Sequence, residues 1–166
     1  GDHRDLHSFP TRRSSDLRQE RGNTKNTVEH ETEEDIKYQT SNLTDEQMQT
    51  IADAIDNVME NTTEFCDCNF SLSRLADLVG SNRSYVSHVI NDSFHKTFND
   101  YVTPYRIHLA CKRLTDTVNY GNFTMKAIAE SVGFKSYTSF VNAFRKITGI
   151  KPSIYQKIAL NNNIKE

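Results

Sequence analysis

Two short stretches of this 166-residue chain carry hydrogen-bonding side chains on one face of a helical pattern. In the first, Arg83, Ser84, Ser87, His88 and Asn91 form a polar stripe opposite the apolar Val86, Val89 and Ile90. In the second, Tyr137, Thr138, Val141, Asn142 and Arg145 lie opposite Phe140, Ala143 and Phe144, with Phe134 added from the preceding turn. These side chains suit the edges of nucleic-acid bases. Arg meets two acceptors on guanine, Asn pairs with adenine, Ser adapts to either, and an outward Val141 suits a thymine methyl. Lys135, Lys146 and Lys151 stand nearby with the charge that phosphates attract. A solvated polar helix face uses the same residue types, so the elements that carry the two stripes decide between the readings.

Other chemistries fare worse. Cys66 and Cys68, with His88, His95 and His108 elsewhere in the chain, raise the idea of a metal or thiol site. Their single-residue spacing is tighter than the gap of about two to four residues usual in zinc sites, and no second ligand pair follows. Gly-rich phosphate loops and paired catalytic carboxylates are missing from the sequence as well, so no enzyme, no metal and no cofactor is expected.

Charge favours the polyanion reading. The chain as a whole has a net charge of -2, yet residues 1–69 hold 7 Lys/Arg against 16 Asp/Glu, and residues 70–166 hold 13 against 6. The C-terminal part is therefore a basic module, the footprint of something that touches polyanions. No apolar run approaches the roughly 18 to 20 residues that cross a bilayer, so this segment is expected to make no membrane contact. The three cysteines are too few for a disulfide framework and predict reduced thiols in the cytoplasm.

The ends differ from the middle. Residues 1–42 have few aliphatic side chains and are expected to be disordered, because they bury too little apolar area to offset the entropy of ordering. The opening GDHRDLHSFPTRRSSDL has no starting Met and reads as non-native sequence over residues 1–17. From Leu43 the pattern changes. Met48, Ile51, Ala52, Ile55, Val58 and Met59 make one apolar stripe, and Thr44 with Gln47 spells a capping box, which predicts an acidic support helix over 43–61.

An internal repeat carries the fold. The stretch from Phe70 to Gly80 matches that from Phe123 to Gly133 at an offset of 53, pairing Leu72 with Met125, Leu75 with Ile128, Ala76 with Ala129 and Val79 with Val132. After the turn the offset becomes 54 and pairs Val86 with Phe140, Ile90 with Phe144 and Tyr101 with Tyr155. Each copy reads as a hydroxyl N-cap (Ser71, Thr124), a short helix, a Gly turn and a second amphipathic helix, which is helix-turn-helix grammar. Two generic helical hairpins packed on each other are the plainer alternative. Between the copies, Phe98, Tyr101, Val102, Tyr105, Ile107, Leu109, Ala110, Cys111 and Leu114 surround most of a helix, which predicts a buried spine with a kink at Pro104.

From Phe70 to about Lys157 the chain resembles the C-terminal DNA-binding domain of the AraC/XylS family of bacterial transcription regulators. The most specific stretch is IAESVGFKSYTSFVNAFRKITGIKPSIYQK, Ile128 to Lys157, which is similar to the family signature. Three positions depart from it: Pro104 in the connector, Gln156 after Tyr155 where Arg is usual, and His88 where Arg is more frequent. The departures leave the expected fold intact and bear on the target sequence.

The expected fold is all-α, with two helix-turn-helix subdomains (about 71–94 and 124–148), a connecting helix (about 97–117) and a C-terminal helix (about 152–160), together forming a DNA-binding domain over 62–166. Two reading helices on one spine suit successive major grooves about one turn, roughly 34 Å, apart. Tyr155 is read as core. The resemblance implies a sequence-specific activator that binds double-stranded promoter DNA and contacts RNA polymerase. The chain is expected to be the output fragment of a longer sensor, which dimerises through, or is membrane-anchored by, its N-terminal region. The alternative is a protein-interaction module that has lost specific DNA binding.

Overall fold

The computed structural model describes residues 43–163, so the expectations for residues 1–42 fall outside the described residues. Among the described residues there are eight helices and no strand. They are α1 (Asp45–Asn61), α2 (Leu72–Val79), α3 (Arg83–Phe94), α4 (Phe98–Thr115), α5 (Thr117–Tyr120), α6 (Met125–Ser131), α7 (Tyr137–Thr148) and α8 (Pro152–Asn163), with a 3₁₀ turn at Glu64–Cys66 after α1.

Local sequence explains where each helix starts. At α1, Gln47 N–H donates to Thr44 Oγ1 at 3.2 Å and Thr44 N–H donates to Gln47 Oε1 at 3.0 Å, a complete capping box. Ser71 and Thr124 cap α2 and α6 by accepting from Arg74 N–H (3.3 Å) and Ala127 N–H (3.0 Å). Asn82 and Ser136 cap α3 and α7 in the same way, accepting from Tyr85 N–H (2.7 Å) and Ser139 N–H (3.1 Å). The turns repeat as well. Ser81 N–H donates to the Ala76 carbonyl at 3.0 Å and Phe134 N–H to the Ala129 carbonyl at 3.1 Å, with Gly80 (φ 67°) and Gly133 (φ 95°) in the left-handed region that lets the chain reverse.

Two cores share the spine. The first gathers Ala52, Ile55, Val58 and Met59 of α1, Leu75 and Ala76 of α2, and Val86, Val89 and Ile90 of α3 around Tyr101, Val102 and Tyr105 of α4. The second gathers Ile128, Ala129, Val132, Phe134, Phe140 and Phe144 around Ile107, Ala110 and Leu114 of the same helix. One end of α4 therefore seats the first helix-turn-helix and the other end seats the second, while Leu109 packs against both cores. Full burial of each large aliphatic side chain is worth about 1.5–3 kcal/mol, so the spine is the main energetic link between the halves.

The connector runs through Pro104 as one helix and ends at Thr115, short of the expected 117. Asp116 is the reason for the early stop: it leaves helical geometry (ψ 85°) and caps the separate α5 by accepting from Asn119 N–H at 3.0 Å. At the other end of the chain, α8 extends past 160 to Asn163.

Polar anchors off the spine align the halves. The buried Tyr101 hydroxyl donates to Asp56 of α1 at 2.6 Å, and burial, reinforced by that carboxylate, holds the phenol well above its ordinary pKa. Arg106 Nε donates to the Phe65 carbonyl (2.7 Å) and Arg106 Nη2 to the Asp67 carbonyl (3.0 Å), while its guanidinium lies 5.9 Å from the centroid of the Phe134 ring. Two turns further along, Arg113 Nη1 donates to the Ser131 carbonyl at the end of α6 (2.7 Å) and lies 5.1 Å from the Tyr120 ring centroid. Gln156, the departure from the family pattern, donates to the Leu114 carbonyl at 3.2 Å and so ties α8 to the spine.

Candidate nucleic-acid interface

The second helix of each copy presents its polar side outward because its apolar side is consumed by a core. In α3, Arg83 and Asn91 are exposed and Ser84, Ser87 and His88 are half-buried. In α7, Tyr137, Thr138, Asn142 and Arg145 are exposed. All five positions of one set map on the other at the offset of 54, so the two faces are equivalent surfaces of the two copies.

Val141 corrects the sequence reading. It is not a lone exposed residue: it is half-buried and packs against the second core, and its place in the helix is already explained by that contact. Any meeting with a thymine methyl would use only the part of the side chain left uncovered. Tyr155 is half-buried against the same core, its ring 5.5 Å from that of Phe144 in an edge-to-face pair. Burial, with Cys111 beside it, pushes its phenol up to about 12.

The cations around these faces are accessible. Lys135, Lys146 and Lys151 are exposed, and neither Arg83 nor Arg145 forms an ion pair with a described residue. Lys146 Nζ lies 3.8 Å from Asp100 Oδ1, at side-chain exposures of 81% and 58%. A pair so open to solvent is worth little, so the lysine can be exchanged between Asp100 and a phosphate at small cost.

The second helices of the two units adjoin one space. A cleft of about 860 Å³ is lined by Asn91 from α3, by Ala143, Lys146 and Ile147 from α7, and by the start of the spine between them. Sequence reasoning missed this juxtaposition, along with Arg106 and Arg113. The N-cap roles of Asn82 and Ser136 were also missed, although their spacing of 54 was a usable signal. Cys66, Cys68 and Cys111 are free thiols, and among the described residues no three His, Cys, Asp or Glu side chains form a group able to hold a metal. No helix among the described residues is long and apolar enough to cross a membrane.

Two equivalent helix-turn-helix units, each with a polar second helix turned outward and both set on one buried spine, define a tandem DNA-binding module. A family model described as a helix-turn-helix domain matches residues 75–158, just over half of the chain. The chain is 30% identical over 89 residues to a putative AraC-like transcription regulator of Streptomyces lividans, covering 54% of this chain and 28% of the relative. It is 28% identical over 113 residues to an uncharacterized HTH-type transcriptional regulator, YtdP, of Bacillus subtilis (strain 168), covering 68% of this chain and 14% of the relative. The matched segment thus spans less than a third of either relative. Among solved structures, the C-terminal domain of the two-component response regulator yesN from Fusobacterium nucleatum aligns at 28% identity and a TM-score of 0.52, covering 63% of this chain and 96% of that one. The C-terminal domain of AraT, a response regulator from Geobacillus stearothermophilus, shares the fold at 23% identity, with a TM-score of 0.53 and coverage of 66% and 84%. The chain belongs to the AraC-type helix-turn-helix family, a class of DNA-binding regulators rather than of enzymes.

Proposed function

We propose that this chain is the DNA-reading output region of a longer sensor protein and that it activates transcription in the cytoplasm by binding promoter DNA in two successive major grooves. The observation that carries this reading is the shared cleft: Asn91 on α3 and Lys146 on α7 line one space beside one spine, so a single stretch of duplex can meet both helices. Arg83, Ser84, Ser87, His88 and Asn91 read one half-site. Tyr137, Thr138, Asn142 and Arg145, with the uncovered edge of Val141, read the other. Lys135, Lys146 and Lys151 position the backbone without regard to sequence. RNA polymerase contact, dimerisation through the N-terminal region and any membrane anchor belong to the longer protein.

The test is selection of binders from randomised duplex DNA by the full chain at physiological salt. The expected product is a site with two short blocks about one helical turn apart. Salt-sensitive binding with no enriched sequence would leave a nonspecific DNA binder, and no binding at all would favour the interaction-module reading. On the enriched site, Arg83→Ala or Asn142→Ala is expected to cost about 1–3 kcal/mol and relax base choice in one block only. Lys151→Ala should weaken all sequences alike, and equal losses on specific and random DNA for all three would remove the assignment of reading positions.

A further inference from the structure

The cleft between the reading helices has a lining that base recognition leaves unused. Its rim is the turn between α3 and α4, His95, Lys96 and Thr97, and its far wall includes Lys146. Asp100 is the only acid among the lining residues, set against the two lysines and an imidazole. Two lysines against one acid leave the lining with an excess of positive charge, concentrated at Lys96 on the rim, and the cleft is continuous with the reading face through Asn91.

His95 supplies a second, independent observation. It is the only residue other than glycine with positive φ among the described residues, at φ 53° and ψ 40°. At the same place in the second copy, 54 residues on, stands Gly149 at φ 83°. A β-carbon in this region costs roughly 1–2 kcal/mol, a cost that the second copy avoids. The strained side chain is kept only in the copy whose turn borders the cleft, since Gly149 is not among its lining. Strain of this sort gathers where a side chain has a task.

We infer that this cleft seats the sugar–phosphate strand that crosses between the two major grooves, with Lys96 and His95 donating to its phosphates and Asp100 holding Lys146 until a phosphate replaces it. The inference rests on the two-groove reading above: a protein whose helices enter successive major grooves must face the intervening backbone with whatever lies between them. His95 can serve in either protonation state, because even the neutral imidazole carries one N–H donor.

The test uses the full chain, the duplex enriched by the selection above, and the same duplex with neutral methylphosphonates between its two blocks. Lys96→Gln should lower the slope of log affinity against log salt by about 0.9, which is roughly a threefold difference between 50 and 200 mM salt. The methylphosphonates should weaken binding of the unaltered chain and add little to the loss already caused by Lys96→Gln. His95→Gly should raise the thermal unfolding midpoint and still weaken binding, a combination that a purely structural residue cannot give. Asp100→Asn should tighten binding to specific and random DNA alike. If the unaltered chain enriches a two-block site while Lys96→Gln, His95→Gly and the methylphosphonates all leave affinity and salt slope unchanged, the cleft assignment falls and the two-groove reading stands. If the unaltered chain binds no duplex, both fall together.

Discussion

In the first helix-turn-helix, Val86 and Ile90 of α3 share a core with Ala52 and Ile55 of α1. In the second, Phe140 and Phe144 of α7 hold the equivalent places and meet the rings of Phe134 and Tyr155 at centroid distances of 5.4 and 5.5 Å. A β-branched pair leaves room that α1 fills with aliphatic side chains, whereas the aromatic pair fills more of it itself, because each ring buries about 150–250 Å², and needs only the ring of Tyr155 from α8 beside it. The same local grammar therefore sits on different foundations. The first unit depends on the segment that joins it to the N-terminal part of the protein, and the second depends on α6, α8 and the spine.

The sharpest way to break the comparison is to empty one core at a time. Phe140→Ala is expected to destabilise by about 3–5 kcal/mol and Ile55→Ala by about 2–5 kcal/mol. Hydrogen exchange should then show Phe140→Ala opening α6 and α7 first, and Ile55→Ala opening α1 and α3 first. Uniform loss of protection in both variants would mean that the spine fuses the halves into one cooperative unit.

The paired turn glycines give a middle-sized contrast. A β-carbon at Gly80 meets nothing within 4 Å, so Gly80→Ala should cost only the left-handed backbone, about 1–2 kcal/mol. At Gly133 the added carbon would sit 2.7 Å from the Phe65 carbonyl oxygen, 2.9 Å from Arg106 Nε and 3.0 Å from the Cys66 carbonyl oxygen. Gly133→Ala should exceed Gly80→Ala in urea denaturation, and equal costs would show that the 3₁₀ turn yields without resistance.

The smallest effect is chemical rather than energetic. Cys68 is exposed, Cys66 is half-buried, and burial pushes the Cys111 thiol up to about 11 despite its hydrogen bond with Tyr155. At neutral pH an alkylating reagent is expected to label Cys68 first and Cys111 last, since the thiolate is the reactive form. Labelling of Cys111 should speed up as pH rises towards 11; mass spectrometry of the digested protein reads the order directly.

Much of this was legible without coordinates. The hydroxyl N-caps, the capping box at Thr44, the Gly turns and the paired core positions all rest on contacts within a few residues, and such contacts are written in spacing alone. The outward stripes of α3 and α7 follow from the same periodicity. Val141 was misread because it stands at the border of its stripe, where the neighbouring helix decides how much of it is covered. The end of the connector was misplaced because Asp116 serves as a cap for the next helix, a choice that competes with continuing the spine.

The sequence by itself determined that there are two like units, which face of each is apolar, and that the charge lies in the C-terminal part. Only the tertiary structure decided that α1 completes the first core, that Arg106 binds the turn after α1 beside Gly133 of the second unit, and that Asn91, His95, Lys96 and Lys146 border one cleft. Periodicity records which side of a helix avoids water; which partner covers that side depends on contacts between residues far apart in the chain, and those form only when the spine brings both halves together.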